Sequence, residues 1–193
     1  MVSKKQIMSS KELILSSIKK LSQEEQPLPA VPSFDAAENI LETFQQSVKN
    51  NKGTLISELE LVDLVNSGAY PKVYSGSKLI PDLKTFELPE KGTDLNDLDL
   101  AIIDGQLGVA ENAAIWLEDE NLGLRAVPFI TQHLVIVLEK SKLVGNMHEA
   151  YSLIGLHYSG FGVFIAGPSK TADIEQSLVI GAHGAKSLKV VLV

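Results

Sequence analysis

Hydrophobic and polar positions alternate along this chain with two periods, and the switch between them divides it into elements. Ser9 and Glu12 have capping-box spacing, and Ile14, Ile18 and Leu21 recur at helical intervals, which predicts an amphipathic helix over residues 9 to 22. Gln26-Pro-Leu-Pro-Ala-Val-Pro32 cannot continue a helix and reads as an extended linker. Asp35 and Glu38 repeat the capping spacing, Ile40, Leu41, Phe44 and Val48 mark a second helix, and Asn50-Asn-Lys-Gly53 stops it. Thr54–Ile56, a Ser57-capped segment with Leu59, Val62 and Val65 on one face, and Lys72–Ser75 then read as strand, helix, strand. Residues 76 to 97, with their Gly, Pro and Asp, give no periodic assignment. From Asp99 onward the apolar runs Leu100–Ile103, Ala113–Leu117 and His133–Leu138 predict buried strands, and Asn146 to Tyr158 a helix. Phe161–Ala166 and Leu188–Val193 predict two more strands, flanking a helix near residues 171 to 180. Strands that are apolar on both faces and alternate with helices imply an α/β fold, a three-layer α/β/α arrangement around a largely parallel sheet.

Composition narrows the picture. With 193 residues and 45% hydrophobic content, the chain has enough apolar material for one substantial core. A net charge of -7, from 24 acidic and 17 basic residues, supplies no basic face for nucleic acid or an anionic membrane. Met1-Val-Ser-Lys-Lys carries no apolar signal core and no run is long enough to span a bilayer, so the expected location is cytoplasmic. The chain has no cysteine. A cysteine nucleophile, a thiolate metal site and a cysteine-held iron–sulfur cluster are therefore excluded from it, since each needs the sulfur itself.

Candidate chemistry concentrates in two loops. Gly167-Pro168 ends the Phe161–Ala166 strand, which puts Ser169, Lys170 and Thr171 where a following helix would offer unpaired N–H groups and its positive dipole end to an anion. The plainer reading is an ordinary strand-to-helix turn with Ser169 or Thr171 as cap. Asp173 and Glu175 would occupy the first helical turn, where negative charge is favoured. The second loop, Gly105-Gln-Leu-Gly108-Val-Ala-Glu-Asn112, follows the strand ending at Asp104. In an open α/β sheet, ligands sit in the crevice beyond strand C-terminal ends. Its glycine spacing is not the dinucleotide fingerprint. Arg125 can grip a carboxylate bidentately. No His-x-x-x-His or Glu-x-x-His pair supports a metal site.

The C-terminal stretch resembles the signature of the lactate utilization protein C family, the single-chain form of the LUD domain. That pattern runs Gly-Pro-Ser-(Arg or Lys)-Thr-Ala-Asp-Ile-Glu-Gln, then Gly-Ala-His-Gly, then a final hydrophobic strand. Here Gly167 to Gln176 and Gly181 to Gly184 carry it, with a weaker likeness through Gly108-Val-Ala-Glu-Asn112, Arg125, Pro128 and His133. The resemblance implies residues 1–32 as an N-terminal helix and Pro-rich linker and 33–193 as a LUD domain. It implies a fold like that of the ribose-phosphate isomerase and coenzyme A transferase group. It also implies a role in oxidising L-lactate to pyruvate beside iron–sulfur partner subunits, which would hold the clusters because this chain cannot. The ligand would be a small anion, lactate, pyruvate or a phosphate-containing compound, held by Gly108, Asn112, Arg125, Gly167, Ser169, Lys170, Thr171, Asp173, Glu175, Gly181, His183 and Gly184. His133 and His183 sit at family motif positions, where an imidazole can change protonation near neutrality.

Ala110-Glu-Asn-Ala113 also looks like the Glu-Asn-Gly segment of coenzyme A transferases, whose glutamate attacks the thioester. Glycine is replaced here by Ala113. Three readings stand: an accessory component of a lactate-oxidising assembly, a stand-alone enzyme with Glu111 as nucleophile or base and His133 as a second catalytic candidate, and a non-catalytic sensor or scaffold. Self-association is compatible with all three.

Overall fold

The structure, a computed structural model, describes residues 9–21, 27, 29, 30, 32, 34, 38–155, 160–172 and 178–193. It divides into two compact units, residues 1–33 and 34–193. The first contains α1 (Ser10–Lys20), which begins on the capping box read from the sequence: Ser9 Oγ accepts from the Glu12 N–H, and the Glu12 carboxylate accepts from the Ser9 N–H.

The second unit starts with α2 (Ile40–Asn50), β1 (Thr54–Ile56), α3 (Glu58–Asn66) and β2 (Val73–Ser75). The N-cap of α2 is Asn39, whose side chain accepts from the Glu42 N–H. The Asp35 cap expected from sequence lies outside the described residues. A Schellman turn closes α2, with Gly53 N–H on Val48 O at 2.9 Å and Lys52 N–H on Lys49 O at 2.9 Å. The capping box of Ser57 and Glu60 opens α3. Next come β3 (Leu100–Asp104), β4 (Leu107–Val109), β5 (Ile115–Glu118), the short α4 (Val127–Ile130), β6 (His133–Leu138) and β7 (Leu143–Val144). They are followed by α5 (Met147–Ile154), β8 (Gly162–Ile165), β9 (Lys170–Ala172), β10 (Leu178–Ile180) and β11 (Ser187–Leu192). α5 ends at Ile154 with Gly155 as its cap at φ 57°; residues 156–158 of the helix expected to reach Tyr158 lie outside the described residues.

The α/β class with a mostly parallel central sheet stands. The central sheet runs β1-β11-β6-β3-β2, and every pairing in it is parallel. Its strands read as unbroken apolar runs because both faces are covered. One face packs Leu100, Ile102, Val135, Val137 and Val191 with Leu61 of α3. The other packs Ala101, Ile103, Leu134, Ile136, Leu188 and Val190 with Phe44 and Val48 of α2 and with Ile115 and Leu117 of β5.

That second contact reveals a layer the periodicity does not predict. The runs 113–117 and 161–166, expected in the parallel sheet, instead form β5 and β8 of a separate four-stranded sheet, β7-β4-β5-β8, with antiparallel β4–β5 and β5–β8 pairs. An apolar run shows burial and cannot show which sheet does the burying. The outer face of this sheet, with Trp116, Leu107 and Val109, packs on Ala150, Met147 and Ile154 of α5. Among the described residues, no helix is long and apolar enough to cross a membrane.

The helix expected near residues 171 to 180 is corrected where the span is described, residues 173–177 lying outside it: β9 and β10 pair antiparallel, with Thr171 opposite Val179 and Lys170 opposite Ile180. The β-branched side chains of Thr171, Val179 and Ile180 favour extended chain. Tertiary bonds extend the ladder: Ser169 N–H donates to Ala185 O, and Gly181 N–H to Ser169 O, each at 2.9 Å.

Candidate functional site

The C-terminal motif folds as a hairpin and a returning loop, so the helix N-terminus expected to hold an anion does not exist at Ser169–Thr171. Ser169 contributes no free N–H, because that donor is spent on Ala185 O. What the fold builds here is a junction. Gly167 takes φ 88°, and a Cβ on it would collide with the carbonyl oxygen of Asn51, so only glycine permits both the turn and the approach. Lys170 is exposed, and its Nζ donates to Asn51 Oδ1 at 3.5 Å. The Asn51 Nδ2 donates to Asn112 O at 2.6 Å, and the Asn112 Oδ1 accepts from Ala114 N–H at 3.0 Å. One asparagine side chain thus ties the loop ending at Asn112 to the loop carrying Lys170. Gly184 completes the junction from the other side, where a Cβ would stand 3.1 Å from Ser169 Cβ.

The junction lies at an unexpected edge. Gly105 begins at the C-terminal end of β3, but β4 runs back beside α2. Glu111 O therefore meets Ser47 Oγ at 3.4 Å, and Asn112 reaches Asn51, three residues ahead of β1. Ala185 likewise precedes β11. The two loops meet at the N-terminal edge of the parallel sheet, and the expectation of a crevice at its C-terminal edge is corrected. At that opposite edge, buried Asp104 receives Ser77 Oγ–H and the N–H groups of Lys78 and Leu79, which closes the chain after β2.

Ala113 is buried with φ 54°, a left-handed conformation that costs an alanine about 1 kcal/mol or more. Gly108 lies on β4 against Leu138, Leu143 and Phe44 and serves packing. Glu111 is exposed, and its Oε1 accepts from Met147 N–H at 3.0 Å, so its carboxylate faces the first turn of α5. Arg125 grips Asp119 through Nε and Nη2 at 2.5 to 3.0 Å, which holds the Asp119 carboxyl below its usual range. The Arg125 guanidinium also lies 5.2 Å from the centroid of the Phe161 ring. Its fork is therefore occupied, and the structure does not bring it to the junction. His183 is exposed in the returning loop, and Gly181 turns that loop at φ 77° beside Lys186. Thr171 sits on β9; Asp173 and Glu175 lie outside the described residues. His148 stacks on Phe34, with ring centroids 4.4 Å apart. Among the described residues, no three His, Asp or Glu side chains gather as metal ligands.

His133 opens β6 at the same N-terminal edge. Its Nδ1 lies 2.7 Å from Ser187 Oγ, and its ring meets Tyr70 edge-on, with centroids 5.1 Å apart. Burial first, then the charges of Lys189 and Lys186, push its pKa below the ordinary imidazole value, against an opposing effect of Asp99. It lines a cleft of about 530 Å³ with Tyr70, Lys72, Asp97, Asp99 and Lys186. Asn51, Tyr70 and Lys186 escaped the sequence reading. Asn51 was legible only as part of a helix stop, and no local pattern marks the other two.

The LUD domain family matches residues 11–193. Lactate utilization protein C of Bacillus pumilus is 37% identical over 82 residues, which is 39% of this chain and 34% of that protein. The protein of the same name from Shouchella clausii is 35% identical over 92 residues, 45% of this chain and 40% of that one. The match thus spans well under half the length of these relatives. The crystal structure of a DUF162 family protein from Deinococcus radiodurans superposes with a TM-score of 0.58 at 17% identity, covering 79% of this chain and 95% of that one, a likeness of fold. The family match extends over nearly the whole sequence and includes every strand of the central sheet as well as both loops of the junction, so this chain belongs to the LUD domain family.

Proposed function

We propose that this protein is a cytoplasmic component of an L-lactate to pyruvate oxidation system. It would work beside iron–sulfur partner proteins and bind a small anion at the junction of Asn51, Asn112, Gly167 and Lys170. The observation that carries the anion site is the environment of Lys170. Its exposed ammonium rests against a neutral amide oxygen, and among the described residues no carboxylate lies within ion-pair distance. Such an ammonium is a point charge open to a carboxylate or phosphate. The pathway is supported by the name that the matched relatives carry. The absence of cysteine supports this division of labour, since the chain has no thiolate with which to hold a cluster itself.

Amide NMR of the full chain during titration with L-lactate and with phosphate tests the anion site. Residues 112 and 167 to 170 should shift saturably, and Lys170→Ala should weaken binding about five-fold while leaving the melting temperature nearly unchanged. Shifts confined to other regions would overturn the assignment. Copurification from the native cell tests the pathway, which predicts cysteine-rich iron–sulfur proteins among the bound partners.

A further inference from the structure

We propose that the cleft between Tyr70, Asp99, His133 and Lys186 binds a small 2-hydroxy monocarboxylate, with Lys186 taking the carboxylate and the His133 imidazole the hydroxyl. None of the residues lining this cleft belongs to the Asn51–Lys170 junction. The inference therefore adds a second site, and only the choice of L-lactate as probe rests on the proposed function.

The floor of the cleft is rigid, because backbone bonds lock the starts of three adjacent parallel strands: His133 N–H to Asp99 O at 2.9 Å and Lys186 N–H to Gln132 O at 2.8 Å. Its charges select the ligand. Lys72 is committed to Asp97 at 3.1 Å, and Asp99 Oδ2 accepts the Lys72 N–H at 2.9 Å, whereas Lys186 has no carboxylate within ion-pair distance among the described residues. One uncommitted ammonium near two carboxylates suits a single negative charge and repels a dianion. The Ser187 hydroxyl on Nδ1 fixes the His133 ring, and among the described residues Nε2 has no partner. Burial, with Lys189 and Lys186 nearby, favours the uncharged ring, against the opposing effect of Asp99. An uncharged imidazole can accept or donate one further hydrogen bond, as a hydroxyl requires. The Tyr70 ring, edge-on to His133, offers an apolar wall for a short alkyl group.

The test is histidine side-chain NMR on the full chain, titrated with L-lactate, propionate and phosphate. Lactate should move the His133 ring signals saturably and bind about five-fold tighter than propionate, the worth of one neutral hydrogen bond. Lys186→Ala should weaken both acids alike, and His133→Phe, which removes the ring nitrogens, should erase the difference between them. Equal binding of lactate and propionate, preference for phosphate, or unmoved His133 signals would each overturn the cleft assignment. The last result, combined with a response at Lys170, would leave the proposed function intact. A response in the cleft without one at Lys170 would remove the junction site instead. If His133→Phe fails to fold, the lactate and propionate titrations of the wild-type ring still decide.

Discussion

The closing strand β11 and the β9–β10 hairpin are neighbours in sequence with similar apolar, β-branched content, yet they occupy opposite environments. Leu188, Val190 and Val191 are buried between two parallel partners, β1 and β6, whereas Val179 and Ile180 remain 45% and 44% exposed. Propensity makes both segments extended, but burial depends on whether partners exist on each side. The same residue types therefore carry the fold in one place and only shape a loop in the other.

Removing Val190–Val193 should break this contrast most forcefully. Val190 and Val191 are fully buried, and at about 1.5 to 3 kcal/mol for each buried aliphatic side chain, plus the lost ladder to β1 and β6, the deletion approaches a typical total stability of about 5 to 15 kcal/mol. Circular dichroism should show no cooperative melt; a melt close to that of the full chain would mean that β11 is dispensable.

Gly167→Ala probes the loop end of the comparison. Forcing a Cβ onto φ 88° and against Asn51 O should cost about 1 to 3 kcal/mol in denaturant unfolding and loosen the junction. An unchanged midpoint would mean that the turn relaxes freely.

A smaller effect is expected from pH. The folded-state pKa of His133 is depressed, so the unfolded chain takes up the proton first. The contribution of a neutral His133 to stability is complete above the unfolded value of about 6.5 and declines as pH falls through that value towards the folded one. Melting temperatures measured between pH 7.5 and 5 should fall, and less steeply in His133→Gln. Parallel slopes for the two proteins would exclude His133 as the cause.

The smallest change should follow Val179→Thr, a β-compatible exposed substitution expected to shift stability within about 0.5 kcal/mol. The same substitution at Val190 should cost several times more, because it buries a hydroxyl in a fully apolar site. Equal costs at the two positions would erase the distinction between them.

Much of the architecture was legible because its signals are local. Ser9 with Glu12, and Ser57, cap the helices as their positions require, and Leu100–Ile103 and His133–Leu138 are strands buried on both faces. The segment after Gly167 misled, because Ser169 and Thr171 at helix-start positions also fit an extended chain whose hydrogen bonds go to distant residues. The junction itself could be read only in part. Gly167, Ser169, Lys170, Asn112 and Gly184 were marked by the family motif, but Asn51, which joins them, was not.

By itself the sequence determined most of the helices and buried strands, though not β9 and β10, along with the capacity for a core, the family signature and the exclusion of cysteine chemistry. These depend on composition and on contacts within a few residues. Only the tertiary structure decided that β5 and β8 leave the parallel sheet, that the Asn112 loop runs back to its N-terminal edge, and that Arg125 is spent on Asp119 while Lys170 faces a neutral amide. Each of those outcomes is a choice among long-range partners, and a strand or a charge carries no local record of which partner it will meet.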